Sequence, residues 1–224
     1  MDSNTSTNIT NVTSNQNNNT TFEYHWTFVP VTETLIFPCA IILNGVILVS
    51  FLRSKQLRIP FNIYLASVLA SNIILAILNS PLDVLNFISP YWWLGDAWCT
   101  VYQYAINVSS GIVMYSHILI TINRIWAVTF PHSYRQHHTQ KNALILVVLI
   151  WVCVHAVTLP GVVMDAVLYR LPVEKNGCAL NMTAMPFLIY AIPNGFIIVA
   201  YPFLLYKRLQ RRKVAPCQLI KIQD

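Results

Sequence analysis

The chain has 224 residues, 55% of them hydrophobic and only 10% charged, with a formal net charge of +6. Soluble domains carry about a quarter of their residues as charged side chains, so this composition excludes an ordinary soluble domain and implies a membrane protein. No glycine-rich phosphate loop, Cys-x-x-Cys, H-E-x-x-H or G-x-S-x-G is present, so no enzyme, metal or other cofactor is expected.

Residues 1–30 open with a Ser/Thr/Asn run that lacks the apolar core of a signal peptide. This reads as a disordered extracellular tail, glycosylated at the N-x-S/T sites Asn4, Asn8, Asn11, Asn18 and Asn19; a low-complexity run without a role is the alternative. Five windows follow, at 35–52, 59–78, 101–122, 143–163 and 184–206, and none contains Asp, Glu, Lys or Arg. Each is long enough to cross a hydrocarbon core of about 30 Å. Backbone in lipid must satisfy its own hydrogen bonds, so the expected fold is an all-α membrane protein. Its helical bundle covers 31–213, and 214–224 form a short cytoplasmic tail.

Charge sets the expected orientation. Twelve of the fourteen basic residues fall between spans one and two, between three and four, or after five; Arg170 and Lys175 lie opposite. The positive-inside rule places the amino terminus outside and the carboxyl terminus in the cytoplasm. The basic excess therefore points to the inner leaflet of a lipid bilayer and not to nucleic acid. A further sequon at Asn181 falls on the outer side, whereas the one at Asn107 lies within span three and is unusable.

Span one contains Asn44, whose amide needs a partner on another helix. Span two carries Asn62, Leu65 and Asn72, and Pro81 beyond it is expected to kink or end the helix. The loop YWWLGDAWC holds Trp92 and Trp93, which suit the membrane interface, and ends at Cys99. Of five cysteines, Cys39 and Cys153 fall inside spans and Cys217 is cytoplasmic. Only Cys178 shares the oxidising side, so a Cys99–Cys178 disulfide is expected, with two free thiols as the alternative.

Span three ends in Asn123-Arg124-Ile125, 25 residues after Cys99, and an arginine there suits the inner interface. The inner loop contains Pro131 and a His137-His138 pair that reads as a solvated turn. His117 and His155 are packed imidazoles or, alternatively, proton-sensitive groups. Span four holds Trp151 and is expected to close at Pro160. Pro193 and Tyr201 stand eight residues apart in span five.

Taken in register, Asn44, Cys99, Arg124, Trp151, Cys178, Pro193 and Tyr201 resemble rhodopsin-like (class A) G-protein-coupled receptors over about 35–210. The segment after Arg124 is similar to the second inner loop and fourth helix of amine receptors. The resemblance implies helices 1–5 of a seven-transmembrane bundle, interhelical roles for Asn44, Asn72, Trp151 and Pro193, and an inner coupling site at Asn123, Arg124, Ile125, Pro131 and Tyr201. By position, Gln103, Ile106, Asn107 and Ser110 on span three and Met185 and Ile189 on span five are the ligand-pocket candidates, with plain helix packing as the alternative. The departures carry consequences. Asn72 stands where the family has a sodium-binding aspartate, Asn123 replaces the acid that pairs the arginine, and Ile106 replaces the aspartate of amine receptors.

The function implied is a plasma-membrane receptor passing an extracellular ligand signal to a heterotrimeric G protein. Residues 214–224 show no further span, so the chain as given is expected to be incomplete, lacking helices 6 and 7 of the family. A short form that does not signal but associates with or retains a partner receptor is therefore the second expectation. A transporter or channel subunit is a third, against which stand spans free of Asp, Glu, Lys and Arg.

Overall fold

The computed structural model describes residues 27–89 and 91–220, with side chains to residue 211. The sequons Asn4, Asn8, Asn11, Asn18 and Asn19 and the side chain of Cys217 lie outside the described residues. Five long apolar helices form the protein: α1 (Phe28–Arg53), α2 (Pro60–Ile88), α3 (Gly95–Thr129), α4 (Gln140–Tyr169) and α5 (Ala184–Arg211). The backbone of α5 continues helical to Ile220. No strand occurs among the described residues, so the fold is an all-α bundle.

Each helix is longer than its apolar window. At about 1.5 Å per residue, helices of this length outrun the hydrocarbon core and project into the headgroup layer. The projecting turns carry acids. Glu33 lies in α1, Asp83 in α2, Asp96 in α3 and Asp165 in α4, so the acid-free windows sit within helices that are not acid-free.

Neither Pro81 nor Pro160 ends its helix: α2 continues to Ile88, and Pro160 sits inside the regular part of α4. Pro81 lacks an N–H for the carbonyl of Ile77, and its ring would crowd that carbonyl. Ile77 lies in a π-helical turn, Leu75–Asn79, whose wider winding moves the carbonyl aside. The same device recurs in α5, where Pro193 follows the π-turn Phe187–Ala191 that contains Ile189.

Helix α3 is the hub and packs against α2, α4 and α5. Its middle turns join Val108 and Ile112 to Val154 of α4 in a core cluster flanked by Tyr104, Tyr115 and Trp151. In lipid, helices associate through close backbone approach and not through expulsion of water. Gly111 of α3 allows this: a Cβ there would stand 2.9 Å from Val154 Cγ1. A Cβ on Gly161 of α4 would collide with the sulfur of Met185 on α5. By contrast, α1 touches the bundle mainly along α2 and turns Leu35, Ile36, Leu43 and Val46 outward, each 60% or more exposed. That surface is suited to acyl chains.

Candidate functional site

At the end of the bundle carrying the amino-terminal side of α1, the connection from α4 to α5 is sewn onto α3. Cys99, in the first turns of α3, forms a disulfide with Cys178, their Cα atoms 5.5 Å apart. Gly177, at φ 71°, lets the chain leave the one-turn helix Val173–Asn176 and reach that cysteine. The Cys178 carbonyl accepts from Gln103 Nε2 at 3.2 Å and from Asn86 Nδ2 at 3.3 Å, while its N–H donates to Asn86 Oδ1 at 3.1 Å. Trp92 is buried rather than interfacial. It stacks on Tyr102 with ring centroids 5.5 Å apart and donates its indole N–H to the Gly95 carbonyl at 3.0 Å.

A buried ion pair fixes the same connection. Asp165 begins the π-turn Asp165–Tyr169 that closes α4 and is fully enclosed; Arg170 follows that turn, and their side chains meet at 3.3 Å. The other Asp165 oxygen accepts from the backbone N–H groups of Asn181 at 2.8 Å and Met182 at 3.1 Å. Arg170 also reaches α3, donating to Thr100 Oγ1 at 2.6 Å and to the Asp96 carbonyl at 3.2 Å. Neither residue stands out in the sequence as a site. The one available signal is an acid directly after an apolar window, five residues from one of the two basic residues on that side.

The expected pocket residues divide. Gln103 and Asn107 lie together, both buried, with Asn107 Nδ2 donating to the Gln103 carbonyl at 2.7 Å. Ile106 packs against the Trp92–Cys99–Tyr102 cluster, and Ser110 is half-buried on the same helix. On α5, Met185 is buried and packs on Gly161 of α4. Ile189 lines a cavity of about 370 Å³ with Gly111, Tyr115, Cys153, Thr158 and Leu188, deeper than the expected pocket. Tyr115 anchors α5 there by donating to the Leu188 carbonyl at 3.0 Å.

The middle of the bundle is held by polar pairs. Asn72 Nδ2 donates to Asn44 Oδ1 at 3.2 Å, joining α2 to α1, and Trp151 Nε1 donates to Ser67 Oγ at 3.0 Å, joining α4 to α2. Pro193 is fully buried in α5. His155 is packed, its Nδ1 2.7 Å from Tyr104 Oη, whereas His117 is exposed on α3.

At the opposite end, Asn123 is buried, and its side-chain oxygen has no hydrogen-bond partner among the described residues. Arg124 is exposed, with its guanidinium carbon 4.5 Å from the centre of the Phe61 ring on α2. That is a cation–π contact where the family pattern has an ion pair. Ile125 is half-buried beside it, Pro131 starts the short helix Pro131–His137, and Tyr201 is exposed on α5.

His138 is not in a solvated turn. Its ring stacks on Tyr134 at 4.4 Å and approaches Tyr64 at 5.9 Å and Trp126 at 6.4 Å, and Nε2 is enclosed without a partner. Burial lowers its pKa from the ordinary 6.5, because the imidazolium loses hydration there. The unfolded chain then binds the proton more readily than the folded one. The contribution of His138 to stability is complete above pH 6.5 and is lost as pH falls through the lower folded value. Thermal unfolding followed from pH 7.5 to 5 is expected to show this loss, and His138→Phe to remove that part of the pH dependence.

A family model described as 7 transmembrane receptor (rhodopsin family) matches residues 43–216, well over half of the chain. The chain belongs to the rhodopsin family. It is 30% identical over 182 residues to the Alpha-2Db adrenergic receptor of Danio rerio, a match covering 80% of this chain and 41% of that protein. It is 29% identical over 170 residues to the Alpha-2B adrenergic receptors of Macroscelides proboscideus and Equus caballus, covering 74% of this chain and 43% of each relative. The chain thus spans less than half the length of the curated relatives it matches. Membership makes it a multi-pass plasma-membrane protein of a receptor family, not of an enzyme family.

Proposed function

We propose that this chain receives an extracellular ligand and passes the signal to a heterotrimeric G protein, with its amino terminus outside and its carboxyl terminus in the cytoplasm. The observation that carries this reading is α3, one unbroken helix from Gly95 to Thr129. It joins the disulfide-pinned outer loop to Arg124 at the other end. Gln103, Ile106, Asn107 and Ser110 form the α3 side of the ligand pocket. Arg124, Pro131 and Tyr201 form the coupling surface. Basic residues flanking that surface support the orientation.

In the resting state Phe61 holds Arg124, because Asn123 offers hydrogen bonding without charge. An exposed cation–π contact contributes about 0.5–1 kcal/mol. An exposed ion pair contributes at most a similar amount. The protein in its natural full length, reconstituted with G protein, therefore has measurable basal nucleotide exchange. Asn123→Asp adds the missing ion pair and is expected to lower that exchange about two- to fivefold. Phe61→Leu is expected to raise it by a similar factor. Arg124→Ala is expected to abolish coupling; nucleotide exchange that all three variants leave unchanged would sink the G-protein reading.

A further inference from the structure

The cavity of about 370 Å³ between α3, α4 and α5 includes none of the four expected pocket residues of α3. Its volume falls at the small end of the range for ligand pockets, about 300–1,000 Å³. Helix α3 supplies Gly111 and Tyr115, α4 supplies Cys153 and Thr158, and α5 supplies Leu188 and Ile189 from its π-turn. Leu149, Cys153 and Val157 also line it and are themselves exposed, so it opens through the outward surface of α4 toward lipid. Thr158 lies roughly 17 Å from the end of α4 at Tyr169, at 1.5 Å per residue, which puts the cavity within the hydrocarbon layer.

The walls restrict what can fill it. None of the lining residues is Asp, Glu, Lys, Arg or His, so a charged guest would meet no counter-ion at a depth where charge is costly. Thr158 is 1% exposed, and its hydroxyl makes no hydrogen bond to another described residue. A hydroxyl can both donate and accept, and leaving it unmet away from water costs free energy. Of the other polar groups, Tyr115 already gives its proton to the Leu188 carbonyl at 3.0 Å, and the Cys153 thiol is a weak donor. Water is a poor match for Thr158, because a buried water needs roughly two to four polar partners and apolar cavities stay dry. A phospholipid acyl chain would suit the walls but would bring nothing for that hydroxyl.

We propose that this cavity binds a neutral, largely apolar molecule dissolved in the bilayer, whose single hydroxyl pairs with Thr158. The guest enters sideways from the lipid, past Cys153 and Val157, and needs no opening to water. It touches three helices where Tyr115 anchors α5 to α3, so it bears on how α5 is seated. The site stands apart from the expected ligand pocket and does not depend on the G-protein reading.

The test is photolabelling of the natural full-length protein in lipid nanodiscs, without G protein, with the labelled residues located by peptide mass spectrometry. The probes are azi-octanol, a neutral alcohol carrying a diazirine, and azi-octane, which lacks the hydroxyl. Labelling of the cavity walls by azi-octanol is expected to saturate and to be displaced by excess octanol. Labelling of the outward face of α1 is expected to rise in simple proportion to probe. Cys153→Phe places a ring in the cavity and is expected to cut the saturable labelling at least about tenfold. Cys39→Phe, which adds the same bulk at an exposed position of α1, is expected to leave it within about twofold. Thr158→Val is expected to weaken the alcohol about three- to tenfold and to leave the alkane within about twofold, whereas Thr158→Ser retains the alcohol. No saturable labelling at the cavity overturns the proposal and means partition into lipid alone. A Thr158→Val effect equal on both probes, or absent from both, also overturns it, in favour of an acyl-chain groove. If Cys153→Phe does not fold, displacement by octanol on the unaltered protein decides. Saturable, Thr158-dependent labelling of a protein that shows no nucleotide exchange would leave this site standing and remove the G-protein reading alone.

Discussion

Asp165→Ala is expected to cost about 3–5 kcal/mol of stability, because it leaves the Arg170 guanidinium buried without its counter-ion. The carboxylate is fully enclosed and Arg170 is 6% exposed, so water cannot take the lost partner's place. The same substitution orphans the backbone N–H groups of Asn181 and Met182, which lead into α5. Asp165→Asn keeps an oxygen for those two donors and is expected to cost less. A double replacement, Asp165→Leu with Arg170→Met, removes both charges and is expected to recover much of the loss. Unfolding in detergent by heat or SDS, with the disulfide intact, measures all three. A loss below about 0.5 kcal/mol for Asp165→Ala would show that the pair is not buried as described.

Cys99→Ser is expected to cost about 2–5 kcal/mol, toward the lower part of that range. The bridge closes a segment of 79 residues, which in a fully unfolded chain would place it near the top. In a bilayer, however, the unfolded state keeps its helices, because lipid cannot satisfy a free backbone. Less chain entropy is then available for the cross-link to remove. The local effect adds to this, since Cys178 releases Gln103 and Asn86 when the loop lifts. Reductant is expected to lower the unfolding temperature of the natural protein as far as the substitution does, and to leave Cys99→Ser unaffected. Cys99→Ser with Cys178→Ser is expected to be no worse than either alone, because both remove one bond.

The two predictions differ in what announced them. Cys99 and Cys178 could be paired from the chain itself, since topology left each no other outer partner. Asp165 and Arg170 could not. Whether residues five apart meet depends on how the backbone winds between them, and a regular helix would put them on different faces. The π-turn Asp165–Tyr169 and the break at Arg170 bring them together. The inner end shows the same division: the place of Arg124 at the end of the third span was legible, but its contact with Phe61 was not. That contact joins residues 63 positions apart, through packing between α2 and α3 that no local pattern encodes. His138 looked solvated because neighbouring polar residues usually are; three aromatic rings from separate elements enclose it.

The sequence by itself determined the class of fold, the five crossings and the disulfide. A bilayer imposes a single local rule, long apolar runs with internally bonded backbone, and local rules can be read from a string. Tertiary structure decided where the helices end, which polar side chains meet, and which are left waiting. Asn44 had to find a partner somewhere, but only packing made it Asn72. Asp83 and Tyr102 drew no notice in the chain, and they meet because α2 winds past Pro81 and lays its last turns against α3. Hydrogen bonds and charges act over a few ångströms of space, and distance along the chain does not measure that.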